Sequence, residues 1–116
     1  MAKKKKKINS RAKGQKGELE LAHYLNGKGY EARRGQQFSG GADSPDVICP
    51  SLPFHIECKR VERLQLYEAL KQAIRDCGDS GKVPTVFHRK NREEWVVILK
   101  ADDFLQLVDK VLEIEI

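Results

Sequence analysis

The sequence predicts an α/β layer fold on three observations: helical apolar spacing near each end and in the middle of the chain, two pairs of short strand-like runs, and brief polar links between them. With 116 residues and 40% hydrophobic content, the chain is long enough for one domain with one core and too short for two.

The first helix spans about 14–28, where Leu21, Ala22 and Leu25 make an apolar stripe that Gly27 and Gly29 end. Glu18 precedes Leu21 by three residues and Leu25 by seven, so its carboxylate points toward whatever the helix packs on. Residues 30–34 fit a short strand, and 35–44 a polar, glycine-rich loop ending at Pro45. Strands then follow at 46–49 and 54–59, joined by Pro50, Ser51, Leu52 and Pro53, whose prolines favour a turn. A hairpin with that link pairs Cys49 with Phe54, Ile48 with His55, Val47 with Ile56, and Asp46 with Glu57.

The second helix spans about 64–77, with Tyr67, Leu70, Ile74 and Cys77 inward and Gly78 as its stop. Residues 83–87 and 95–99 form the second strand pair, joined by the polar stretch 88–94, and strand period groups Trp95 with Val97 and Leu99 in the core. The last helix begins near Asp102 as its cap and is expected to bury Phe104, Leu105, Val108, Val111 and Leu112.

The formal charge of +5 is uneven: residues 1–34 hold eleven Lys and Arg against three Asp and Glu, whereas 101–116 hold one against five. Residues 1–13 read as a disordered basic arm ahead of a domain at 14–116. Lys3 to Lys7 fit either a solubilising tail or a source of salt-dependent phosphate contacts. No uncharged run approaches a membrane span, and no apolar stretch follows the N-terminal lysines. Cys49, Cys58 and Cys77 form no CxxC pair and cannot close a disulfide framework, so a reducing cytoplasm is expected. Their spacing, with that of the histidines, matches no usual zinc pattern.

Asp46 opposite Glu57 places like charges with Cβ atoms roughly 5 Å apart across a strand pair, which needs compensation. Mg²⁺ supplies it, because it accepts one or two protein carboxylates and leaves its other positions to water and phosphate. Lys59 lies two residues beyond Glu57 on the same strand face, about 6.6 Å along, where it can orient or deprotonate a water or balance phosphate charge. An E-x-K spacing alone arises by chance about 0.4 times in a chain of this length. The conjunction with Ser44-Pro45-Asp46, the proline-bracketed hairpin and Glu18 carries the signal. Gln72 on the second helix is an outer contact to metal or phosphate, although it lies off the expected apolar stripe. His55 shares the strand face of Glu57, and His23 lies near the polar side of the first helix; both fit outer roles. Cys58 alternates with Glu57 and Lys59 and should point into the core.

The series Gly17-Glu18, Leu21, Leu25, Gly29-Tyr30, Arg34, Ser39-Gly40, Pro45-Asp46 and Ile56-Glu57-Cys58-Lys59 resembles the archaeal-type Holliday junction resolvases and related phage-encoded PD-(D/E)XK nucleases. The resemblance covers roughly residues 14–77. It implies a restriction-endonuclease-like core of αβββαβ order, with a mixed central sheet flanked by helices and a C-terminal strand and helix added. It also implies that Glu18, Asp46, Glu57 and the Cys58 carbonyl hold Mg²⁺, with Mn²⁺ as substitute, that Lys59 assists the water, and that Ser39 lies by the substrate. Branched DNA and a two-fold homodimer follow from the same resemblance. Arg33, Arg34, Arg60, Arg63 and residues 88–92 could line a DNA cleft through phosphate contacts. A restriction-like or nicking enzyme on duplex DNA, and a DNA-binding module without catalysis, stay open.

Overall fold

The computed structural model describes residues 10–35 and 45–114, with side chains from residue 12 onward. The lysine arm and Ser39 lie outside the described residues. The elements run α1 (Ser10–Gly27), β1 (Arg33–Arg34), β2 (Val47–Ile48), β3 (Phe54–Lys59), α2 (Leu66–Cys77), β4 (Val83–His88), β5 (Val96–Ile98) and α3 (Ala101–Ile114). The order is the expected one. The strands β1, β2 and β5 are shorter than their sequence patterns, and α1 starts at Ser10 instead of Gly14 because its basic first turns contain no proline to stop them.

The five strands form one mixed sheet in the order β1-β2-β3-β4-β5. Only β3 and β4 are parallel, and α2 is the crossover that such a pair requires. In the β2–β3 hairpin Val47 stands opposite Ile56, which is the register the four-residue link predicts. The Asp46 amide donates to the Ile56 carbonyl at 2.9 Å. Extending that register by one residue sets Asp46 against Glu57.

Strand alternation divides the core into two faces. Glu57 is level with Val86 and Cys58 with Phe87 across the parallel pair. Phe87 joins Leu21, Leu25, Val47 and Ile56 under α1. Val86 joins Ala69 and Ala73 under α2. Glu57 therefore belongs to the α2 face. Of the inward residues expected on α2, Cys77 is buried and Leu70 packs against the cluster, but the face centres on Ala69 and Ala73, whereas Tyr67 is 75% exposed and Ile74 38%. Alanines let the crossover helix lie close to the sheet, and Tyr67 and Ile74 are turned outward.

The expectation for α3 also fails, since none of its residues is buried and Phe104, Leu105, Val111 and Leu112 are each more than half exposed. The two faces of the sheet are already covered by α1 and α2, so a helix that follows edge strand β5 finds neither face vacant. Trp95, just before β5, is half-buried against the α1 cluster, close to its expected place, with its ring 6.4 Å from that of Tyr24.

Gly35 fixes the position of Asp46. Its amide donates to the Asp46 carbonyl at 2.8 Å, and a Cβ at this position would stand 2.1 Å from the Pro45 carbonyl oxygen. That neighbour is backbone and cannot swing aside. Gly35→Ala should destabilise the protein by about 1–3 kcal/mol through overpacking, read as a lower urea midpoint. An unchanged midpoint would show that β1 is free to move away from Pro45.

Candidate active site

Three short elements converge on the acids. Asp46 enters from the start of β2 at 9% exposure and Glu57 from the middle of β3 at 3%. The Cys58 amide donates to Asp46 Oδ2 at 2.8 Å, and Asp46 and Glu57 share a side-chain hydrogen bond. Glu57 Oε2 is buried with no hydrogen-bond partner. Two carboxyls this close cannot both stay ionised in a poorly solvated place unless positive charge joins them. Burial above all, then the charge and hydrogen bond of Asp46, push the Glu57 carboxyl up to about 8, with Lys59 opposing. Burial also raises Asp46, against the lowering effect of the Cys58 amide.

Lys59 shares the strand face of Glu57, and its ammonium donates to Gln72 Oε1 at 3.0 Å. Gln72 is one residue before the buried Ala73, on the shoulder of α2 nearest the acids. The stripe through Tyr67 and Ile74 had placed it off the face; the stripe through Ala69 and Ala73 brings it in. Asp76, one turn farther, was missed. Its charge raises both Asp46 and Glu57. The signal for it is the i, i+4 spacing from Gln72, visible only when the alanines define the face.

Glu18 is half-buried on α1. Its carboxyl is raised by burial and by the charge of Asp46, while Arg34 lowers it. The Arg34 guanidinium lies 3.2 Å from Glu18 Oε1, so these two expected site residues meet each other. Arg60 goes elsewhere. Its Nε lies 3.1 Å from both Glu20 carboxylate oxygens, and its other nitrogens donate to the Arg89 carbonyl and Asn91 Oδ1. Arg89 also pairs with Glu20. Arg60 thus ties α1 to the link after β4 and has few donors left for a substrate. His55 is buried at 2% exposure on the Glu57 face, whereas His23 is exposed. The Cys58 side chain packs against the α1 cluster, and burial pushes its thiol well above the ordinary range.

Among the described residues, no three His, Cys, Asp or Glu side chains stand together as a cation cage. The adjacent pair still fits a divalent ion: the orphaned Glu57 oxygen lacks a donor, both carboxyls are raised by burial, and a cation would displace the proton that Glu57 retains. Pro53 and Lys59 present their carbonyls to β4, and Ile56 presents its own to β2. Ladder alternation places the Cys58 carbonyl on the β2 edge, past the Asp46 end of that strand.

A mixed sheet with paired acids and a lysine at the end of its hairpin defines the restriction-endonuclease-like class. Residues 9–115 match the family described as "Phage putative PDDEXK endonuclease", and the chain belongs to that family. Among solved structures, it is similar to Archaeoglobus fulgidus Hjc, a Holliday junction resolvase from an archaeal hyperthermophile. The two share 22% identity and superpose with a TM-score of 0.56 over 75% of this chain and 72% of the other. No curated protein matches the chain in sequence. No described helix is long and apolar enough to cross a membrane.

A carboxyl raised from 4.5 to about 8 holds its proton in the folded state after the unfolded chain has lost it. Stability from this group is therefore present below about 4.5 and is lost as pH rises toward 8. Without metal, the unfolding free energy from urea titration should fall over that window by on the order of a few kcal/mol. Glu57→Gln should remove most of the slope. Parallel profiles for the two proteins would show that Glu57 ionises normally.

Proposed function

We propose that this protein is a Mg²⁺-dependent DNA endonuclease that hydrolyses phosphodiester bonds in branched DNA, with Mn²⁺ as a working substitute. The observation that carries this reading is the buried Asp46–Glu57 pair with Lys59 beside it on one strand face, held by Gln72. Membership in the endonuclease family supports the chemistry, and the fold shared with a junction resolvase supports a branched substrate.

Asp46 and Glu57 would hold the ion, with the Cys58 carbonyl as a third oxygen and Glu18 reaching it after release from Arg34. When bound, the ion neutralises charge that builds on the phosphate and lowers the pKa of a coordinated water. Lys59 supplies a fixed cation at the scissile phosphate and a contact that orients the attacking water. Gln72 keeps the ammonium from swinging toward solvent. Arg34, once it exchanges Glu18 for a phosphate, would become a substrate contact, and the resemblance to junction resolvases assigns Ser39 to the substrate as well. Paired cuts in a four-way junction need two such sites, so this reading includes a homodimer.

The test is cleavage of a labelled four-way junction, a matched linear duplex and a single strand, each with Mg²⁺ and with EDTA. Metal-dependent, paired cuts in the junction are expected. Equal cutting of the duplex would move the protein to a restriction-like activity, and no cutting with any metal would overturn the enzyme reading.

Asp46→Asn, Glu57→Gln and Lys59→Ala should each lower turnover by about 100-fold or more at unchanged DNA affinity. Full activity in a folded Asp46→Asn protein would remove the metal site. Gln72→Leu should cost about 10- to 100-fold in kcat with little change in KM, as expected for a residue that positions another.

A further inference from the structure

The fold leaves the apolar stripe of α3 uncovered. Phe104, Leu105, Val111 and Leu112 are 54, 56, 54 and 53% exposed, and Ile114 is 84% exposed. Phe104, Val108, Val111 and Leu112 do not close on the body: they look across an open groove of about 530 Å³ at the side chains of Phe54, Val97 and Leu99.

Several occupants are excluded by charge. The 14 residues of α3 carry Asp102, Asp103, Asp109 and Glu113 against Lys110 alone. Such a helix repels a polyanion, so nucleic acid does not cover it. It also lacks the Lys- and Arg-rich polar face that holds an amphipathic helix on a membrane surface. A protein surface remains.

We infer that α3 is the contact by which two copies of this chain pair, antiparallel about a two-fold axis near Val108, each helix covering the groove of the other. A two-fold contact must be self-complementary. With Val108 on the axis, Phe104 faces Leu112 and Leu105 faces Val111, so these four residues meet apolar partners, while Ile114 at the helix end stands opposite Asp102. Each Lys110 lies opposite Gln106, within one turn of the second copy's Asp102 and Asp103. Asp103 and Glu113 oppose one another only at the helix ends, where solvent screens them. Phe104, Leu105, Val111, Leu112, Ile114 and Val97 offer on the order of 100 Å² each, about 600 Å² per copy; the groove walls of Phe54 and Leu99 bring this toward the ~800 Å² per partner of a stable interface.

The inference rests on the two-copy assembly of the proposed function, but its test reads mass and proximity and needs no cleavage. Light scattering on the eluting full chain from 1 to about 100 μM should give a dimer mass. Val111→Asp with Leu105→Asp, both at exposed positions, should return it to a monomer with an unchanged circular dichroism spectrum. A short bis-maleimide should link Val108→Cys to itself at least ten times faster than Asp109→Cys, each measured against the parent chain with its three free cysteines. A parent chain that is monomeric throughout, a dimer insensitive to the double substitution, or equal linking of the two cysteine variants would overturn the inference. An active nuclease that proves monomeric would separate this failure from failure of the catalytic reading.

Discussion

The structure depends on holding two carboxyls, Asp46 and Glu57, in contact with little water between them. Such a pair is repulsive when both are charged, and the fold tolerates it by rigid backbone geometry. The hairpin register sets the two opposite, the Cys58 amide fixes one Asp46 oxygen, and Gly35 closes against Pro45 and Asp46 from β1. None of these constraints requires the carboxyls to be ionised. The pair can thus exist protonated in the bare protein and exchange its proton for a cation, without rebuilding the site.

Lys59 and Arg60 show how strand alternation distributes charge. They are consecutive, yet Lys59 reaches α2 and the acids while Arg60 reaches Glu20 on α1 and the link after β4. Pointing the two cations to opposite sides removes their mutual repulsion from the site. It also gives them different work: Lys59 has one neutral hydrogen-bond acceptor and keeps its charge available, while Arg60 spends its fork on a carboxylate, a carbonyl and an amide. Gly17 belongs to the same arrangement, since a Cβ there would stand 2.6 Å from that of Arg60.

The core of this architecture was legible in the sequence where local rules decide it. The length of the Pro50–Pro53 link determined the hairpin register, and the register brought Asp46 to Glu57. Helical spacing correctly placed Leu21 and Leu25 inside, with Glu18 beside them. Where tertiary distance decides, the reading failed. In α2 the largest apolar residues suggested one face, but a crossover helix lying close to a sheet selects Ala69 and Ala73, and this rotation hid the importance of Gln72 and the presence of Asp76. In α3 the stripe was real, but periodicity cannot say whether a stripe meets the chain's own core or nothing in the same chain. The pairing of Glu18 with Arg34 depends on β1 lying beside α1, which no spacing in either segment specifies.

The acids on α2 and α1 bear on why a cation would be held at all by a site with only two carboxyls in contact. Asp76 raises Asp46 and Glu57 from one side, and Asp46 raises Glu18 on another. Against these four carboxyls stand Lys59 and Arg34. Fully ionised, the group carries two excess negative charges, the charge of one divalent ion. In the bare protein a proton retained by Glu57 offsets part of this charge, which is why burial and its neighbours push that carboxyl up. A divalent ion would release that proton and let Arg34 leave Glu18 for a phosphate without stranding a charge. The helix that completes the core with its alanines thus also sets, through Gln72 and Asp76, both the placement of the lysine and the strength of the demand for a cation.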